Sequence, residues 1–236
     1  MIQALDWDSN FFGIRVGKLD LTSVSGDDLA RGISEITESG FKLIYAFAAH
    51  DESSVKTSVL KSGGVLRDEK VTFTMDVTGF KPQLSSFVRS CKGEPMSSEF
   101  EYLAFEAGRY SRFRTDEQIP RKKFEELYSL WMVNSLNGSF AKEVFVWEED
   151  EAKLGMVSLG VKNNEGWIGL IAVSELHRGK SIGKYLIHQV IEYCQKQGIK
   201  ILNVQTQLEN RGSCAFYEKV GFRISNIEDV YHIWNV

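Results

Sequence analysis

The stretch between residues 166 and 197 restricts this chain more than any other. Gly166–Val173 reads as a strand. Gly183–Gln197 reads as an amphipathic helix, with Leu186, Ile187, Val190, Ile191 and Cys194 in one apolar stripe and Gly198 placed to cap its end. Between them runs Ser174-Glu175-Leu176-His177-Arg178-Gly179-Lys180-Ser181-Ile182. A strand that enters a helix through small residues collects unpaired N–H groups and the positive helix end at one point, which favours an anion. Arg178 and Lys180 add charge of the right sign, so the expected ligand group is a pyrophosphate. The residue order fits neither a Walker A loop nor GxGxxG.

The flanking sequence continues the α/β alternation. Phe41–Ala49 has the pattern of a buried strand. Ser53 and Ser54 look like an N-cap for a short helix over 55–62, stopped by Gly63-Gly64. Val65–Val77 reads as a strand with Val71, Phe73, Met75 and Val77 on one face. Residues 79–101, with Pro82, Pro95 and several serines, read as a linker. The expected organisation is an N-terminal α/β region over 1–100 and a second domain over 101–236. In the latter, Arg121–Ser135 is a helix, and Glu143–Trp147 with Leu154–Val161 form a hairpin around the acidic turn 148–151. Ile199–Thr206 is a strand, Gly212–Val220 a short helix stopped by Gly221, and Phe222–Trp234 closes the chain as strand. Helix–Gly–strand punctuation occurs at both 60–64 and 217–222, as duplication or chance would equally give.

Composition excludes several classes. With 43% apolar and 25% charged residues and three prolines, the chain is globular. The net charge of −4 lacks the basic surplus of a nucleic-acid binder. No apolar run approaches the roughly 18 residues of a membrane span, and no signal peptide is visible, so a soluble cytoplasmic protein without a membrane partner is expected. Cys91, Cys194 and Cys214 are odd in number and widely spaced, which suits a reducing compartment and offers no metal-ligand spacing.

Two motifs carry a resemblance. Arg178-Gly179-Lys180-Ser181-Ile182-Gly183 resembles the coenzyme-A loop of the GNAT acetyltransferase superfamily, Q/R-x-x-G-x-G/A, with Ser181 where the family usually has glycine and Glu175 where it often has proline. Asn210-Arg211-Gly212-Ser213-Cys214-Ala215-Phe216-Tyr217-Glu218-Lys219-Val220-Gly221-Phe222 resembles its N-x-x-A-x-x-x-Y-x-K-x-G-F element. The resemblance implies a GNAT fold, an α/β (α+β) arrangement of a mixed, splayed sheet flanked by helices, with acetyl-CoA as co-substrate in the splay. It implies that backbone N–H groups of Arg178, Gly179, Lys180, Ser181, Ile182 and Gly183 hold the pyrophosphate. Ile171, Ala172 and Val173 pair with the pantetheine, Asn210 contacts its arm, and Tyr217 protonates the departing thiolate. A backbone N–H near the end of the 168–173 strand meets the oxyanion. Glu165, Glu175, His177 and His232 are base candidates by type alone, and none is assigned.

The opener Leu5–Gly13 and the loop Tyr110–Asp116 resemble a GNAT subgroup typified by dTDP-fucosamine acetyltransferase, which acetylates the 4-amino group of a dTDP-linked 4-amino-4,6-dideoxygalactose. The resemblance implies a nucleotide-sugar amine as acceptor, with Ser111, Arg112, Phe113 and Arg114 as its binding loop; guanidiniums suit a diphosphate. The aromatics Trp7, Phe11 and Phe12 are expected to anchor the N-terminal half by packing. Other amines (a peptide N-terminus, an aminoglycoside, a polyamine) and a non-catalytic acyl-CoA-binding module remain open. So does a homodimer through an exposed sheet edge.

Overall fold

The computed structural model describes residues 2–22 and 40–235. The chain forms two compact units, Met1–Val71 with Gln207–Glu209 and Asn226–Val236, and Thr72–Thr206 with Asn210–Ser225.

The first unit holds β1 (Gln3–Ala4), α1 (Asp6–Phe12), β2 (Val16–Asp20), β3 (Leu43–Ala49), α2 (Ser53–Lys61), the first part of β4 (Val65–Asp76) and most of β10 (Arg223–Trp234). β1 is antiparallel to β2, β2 parallel to β3, and β10 antiparallel to β3 from Glu228 to Trp234. Alternation places Ile44, Ala46, Tyr231 and Ile233 on one face, where they meet Val55 and Val59 of α2. Gly64 lets that helix lie close, since a Cβ there would come within 2.5 Å of Val59. The N-cap of α2 is Glu52, without a side-chain bond, rather than Ser53, whose carbonyl instead accepts from the Thr57 hydroxyl inside the helix. The N-terminal aromatics do not anchor this unit by burial. None of α1 is buried, and Trp7 stacks on Phe11 at 5.3 Å while remaining 46% exposed.

The second unit takes β5 (Val88–Ser90), α3 (Ser98–Ala107), α4 (Arg112–Thr115), α5 (Arg121–Leu136), β6 (Glu143–Glu149), β7 (Ala152–Lys162), β8 (Glu165–Val173), α6 (Ile182–Lys196), β9 (Ile201–Gln207) and α7 (Arg211–Val220). Its strand order, including the near ends of β10 and β4, is β10-β4-β9-β8-β7-β6-β5. The pairs β5–β6, β6–β7 and β7–β8 are antiparallel, and β8–β9 is parallel. This is the mixed sheet flanked by helices of the GNAT fold. The two hairpins turn through Asp150-Glu151 and Asn163-Asn164, both pairs at positive φ, the geometry that matches strand twist. α6 covers the face of Gly155 and Gly166, where any Cβ would come within about 3 Å of Ile182 or Cys194.

The units do not divide at residue 100. The second half of β4 lies in the second unit because it is tied to β9: Val77 N–H donates to Lys200 O, and the Thr74 hydroxyl donates to Asn203. Nor are residues 79–101 a free linker. Gln195 donates its amide to Val77 O and Phe80 O, Gln83 N–H donates to His188 Nδ1, and Lys184 reaches Gln83. These bonds bind the segment along α6, and its remainder forms β5 and the start of α3. Cys91 and Cys194 are free, buried thiols that burial pushes up to about 12 and about 11, so they act as neutral packing groups. Among the described residues no helix is long and apolar enough to cross a membrane.

Candidate active site

The site grows from a sheet that opens. β8 and β9 pair only at Gly166–Leu202, Trp167–Asn203 and Ile168–Val204. Just beyond, β8 carries an irregularity against β7, where Ser158 faces the extra residues Gly169 and Leu170. Such a bulge bends its strand and re-aims the residues beyond it. Leu170 N–H donates to Ser158 Oγ at 2.8 Å, and Ser174 N–H donates to Leu154 O at 2.8 Å, both toward β7. Since N–H groups alternate along a strand, those of Ile171 and Val173 point to the opposite side, where β9 no longer pairs with them. An extended amide-bearing chain fits that edge as an added strand. Ala172 instead bonds toward β7 and is buried.

At the end of β8 the backbone enters a short turn, Glu175–His177, and then α6. Gly179 at φ 79° and Ser181 at φ 64° curl the backbone around the helix start. The first bond of the helix runs from Tyr185 N–H to Ser181 O, so earlier N–H groups face out of its positive end. Arg178 is the exception in the expected cradle, because its own N–H turns back to Glu175 O. Its guanidinium donates to Val173 O at 3.3 Å and pairs with Glu106 at 2.5 Å. α3 thereby clamps the loop: Arg109 pairs with Glu175 at 3.1 Å, and Tyr102 Oη accepts from Glu175 N–H. Sequence reasoning missed this clamp, because Glu106 near the end of α3 and Arg109 just beyond it carry no local signal of the loop they meet.

On the other side, Asn210 caps α7 by accepting Ser213 N–H at 3.2 Å, which leaves its amide nitrogen to donate elsewhere. Tyr217 lies in α7 with its ring among Phe73, Phe216 and Phe222 at 5.3–5.7 Å. It is 3% exposed, and burial pushes its hydroxyl well above the usual tyrosine value. The phenol therefore stays protonated. Gly183 in α6 sits against Phe216, where a Cβ would lie 3.3 Å away, so α6 and α7 start side by side.

The segment 110–116 is a capped helical turn rather than an open loop. Ser111 is buried and accepts Phe113 N–H, and Phe113 is buried edge-on to Trp131 at 6.1 Å. Only Arg112 and Arg114 of the four expected acceptor contacts are partly exposed, stacked over Phe113 and Phe124. Of the base candidates, Glu175 is held by Arg109 and Glu165 accepts from the Asn203 amide at 2.8 Å. His177 lies beside Ser174, and His232 is buried in the first unit against Tyr45.

A second feature also escaped sequence reasoning. A cavity of about 470 Å³ opens between α5 and the bulged part of β7–β8, lined by Trp131, Phe140, Ser158, Lys162, Trp167 and Gly169 among others. The one signal for it was Gly166 and Gly169 three apart in a strand, which breaks alternation and hints at a bulge.

Residues 108–222 match the Acetyltransferase (GNAT) family. A 132-residue stretch is 29% identical to the spore coat polysaccharide biosynthesis protein SpsD of Bacillus subtilis, covering 56% of this chain and 45% of that protein. Another of 113 residues is 31% identical to the uncharacterized N-acetyltransferase MJ1207 of Methanocaldococcus jannaschii, covering 43% and 46%. The alignments thus span about half the length of these curated relatives. The fold is similar to that of a GCN5-related N-acetyltransferase from Sphaerobacter thermophilus, with a TM-score of 0.55 at 16% identity over 81% of this chain and 59% of that one.

Proposed function

We propose, from the match of residues 108–222 to the Acetyltransferase (GNAT) family, that the protein uses acetyl-CoA and transfers its acetyl group to the amine of a nucleotide-linked amino-deoxysugar. The observation that carries the reading is the opened β8–β9 pair beside the left-handed turn at Gly179 and Ser181. It supplies both an unpaired strand edge and an anion cradle, the two things a pantetheine diphosphate requires.

Ile171 and Val173 bind the pantetheine amides. The N–H groups from Gly179 to Gly183, with Lys180 at the rim, hold the pyrophosphate, and Asn210 donates its amide to the arm. Acetyl-CoA supplies a thioester whose carbonyl carbon accepts the amine nitrogen; the C–N bond forms as the C–S bond breaks. Ile171 N–H, the first on the free edge past the bulge, stabilises the developing oxyanion, so that Ile171 meets the pantetheine through its C=O alone while Val173 uses both its N–H and its C=O. Tyr217 gives its proton to the departing thiolate, and the proton released by the amine leaves to solvent. Diphosphate recognition by the segment 111–114 rests on Arg112 and Arg114, because Ser111 and Phe113 are used inside the fold.

The acceptor reading is supported by the relative named for polysaccharide biosynthesis and by the resemblance of the opener Leu5–Gly13 and the 110–116 segment to the amino-sugar subgroup. The test is thiol release from acetyl-CoA against dTDP- and UDP-linked amino sugars, the free amino sugars, an N-terminal peptide, a polyamine and an aminoglycoside. Release with a nucleotide-linked amine and not with its free sugar is expected. Release only with the other amines overturns the acceptor assignment.

A further inference from the structure

The cavity between α5 and the bulge of β7–β8 has no part in the acetyl-transfer chemistry of the β8 edge and Tyr217. We infer that it is the subsite for the pyranose ring of the acceptor; this rests on the proposed acetyl transfer to an amino-deoxysugar. Its position favours this role. The wall includes Gly169 and Leu170, the bulge residues, and the next residue, Ile171, opens the free strand edge. At about 3.3 Å per residue, a ring in the cavity brings an equatorial substituent within one or two residues of a carbonyl held at that edge.

The lining has the matching chemistry. Trp131, Trp167 and Phe140 offer three aromatic surfaces, which pack well on the C–H faces and methyl group of a deoxysugar. Ser158 accepts Leu170 N–H and keeps its own hydrogen to donate to a ring hydroxyl. No lining residue is acidic, and Lys162 supplies a cation. That charge repels a polyamine or aminoglycoside and suits an acceptor whose amine is carried on an anionic nucleotide diphosphate. The volume, about 470 Å³, falls within the roughly 300–1,000 Å³ of small-molecule sites.

The wall is also supported from behind. Trp131 rests against Tyr128 at 4.9 Å and edge-on to Phe113. Phe113 therefore positions the cavity wall without touching the acceptor. Gly169 lets Ser158 lie close, because a Cβ there would lie 3.0 Å from Ser158 Oγ.

The experiment measures KM for a dTDP-linked 4-amino-4,6-dideoxyhexose and, separately, for acetyl-CoA, in the parent chain, Trp167→Ala and Phe140→Ala. Phe140 is 54% exposed, so its truncation leaves the fold intact if Trp167→Ala does not. Acetyl-CoA binding, followed directly, reports folding. The expected result is a rise of about tenfold in acceptor KM for Trp167→Ala and a smaller rise for Phe140→Ala, with KM for acetyl-CoA within about twofold. The parent's preference for the 6-deoxy acceptor over its 6-hydroxy counterpart should shrink in both. Turnover of the nucleotide sugar with an acceptor KM unmoved in both variants overturns the subsite and leaves the proposed function standing. Acetylation of a peptide or polyamine but of no nucleotide sugar by the parent overturns both.

Discussion

Replacing Ser181 by glycine should stabilise this chain. Ser181 is held at φ 64°, ψ 7°, its side chain makes no capping bond, and Ile182 after it begins α6 and is buried. A left-handed conformation strains an L residue by about 1 kcal/mol or slightly more. Glycine removes that strain, but its freer unfolded chain takes back about 0.5 kcal/mol. The net gain is about 0.5 kcal/mol, which raises Tm by about 1–2 °C in a chain of this size. Valine goes the other way, because a β-branched side chain is least tolerated at positive φ. It should lose about 1–2 kcal/mol and about 3–6 °C. Alanine keeps the strain and discards only the hydroxyl, so it should move Tm by less than about 1 °C. Thermal unfolding without acetyl-CoA reads the stability, and titration with acetyl-CoA reads the cradle, whose N–H groups survive in all three variants. A glycine variant that melts lower while the valine variant is unaffected would refute the strain, since the loop would then not be held in the left-handed region.

Two further outcomes are expected. Tyr217→Phe should lower turnover by about a hundredfold or more, the low end of general acid catalysis, while acetyl-CoA binds as before; since burial raises the Tyr217 hydroxyl above its usual value, the parent's rate should not fall through loss of this proton below pH 10. Equal rates for the two proteins remove Tyr217 from the mechanism. In the first unit, His50 Nδ1 lies 2.7 Å from buried Asp229, which also accepts from the Tyr231 hydroxyl, with Glu69 at 3.8 Å and Asp51 adding charge. The hydrogen bond to Asp229 raises the His50 pKa above 6.5, so its contribution to stability is fully present below pH 6.5 and is lost as pH rises through the raised value. His50→Gln should flatten the Tm-versus-pH curve as pH rises above 6.5; an unchanged slope there would show that this pair does not govern it.

How much of the site was legible depended on how far apart its parts lie in the chain. The strand–turn–helix over 166–197 and the 210–222 element stood out because each packs its signals into a few turns: an apolar stripe, glycines at the helix ends, a capping Asn210. The turn at 148–151 was visible for the same reason, and its last two residues, Asp150 and Glu151, take the hairpin geometry. The segment 79–101 was misread because its prolines and serines describe only local backbone preference. Its docking depends on Gln195 and His188, about a hundred residues away. In the segment 110–116 the composition suits a binding loop, but it does not show that a cap bond and a ring contact turn Ser111 and Phe113 inward and leave Arg112 and Arg114 at the surface.

The sequence by itself determined the local grammar: where the main strands and helices lie, where the glycine-bearing turn joins β8 to α6, and that Tyr217 sits on the short helix that Asn210 caps. Only the tertiary structure decided that β8 and β9 part after Ile168 and Val204, that Glu106 and Arg109 clamp the turn, and that Trp131 and Trp167 line one open cavity. It also brought His50 to Asp229, 179 residues later. The physical reason is that caps, turns and periodicity are energies between residues within a turn or two, whereas strand register, bulges and facing side chains are set when distant surfaces find the one alignment that buries their apolar faces together.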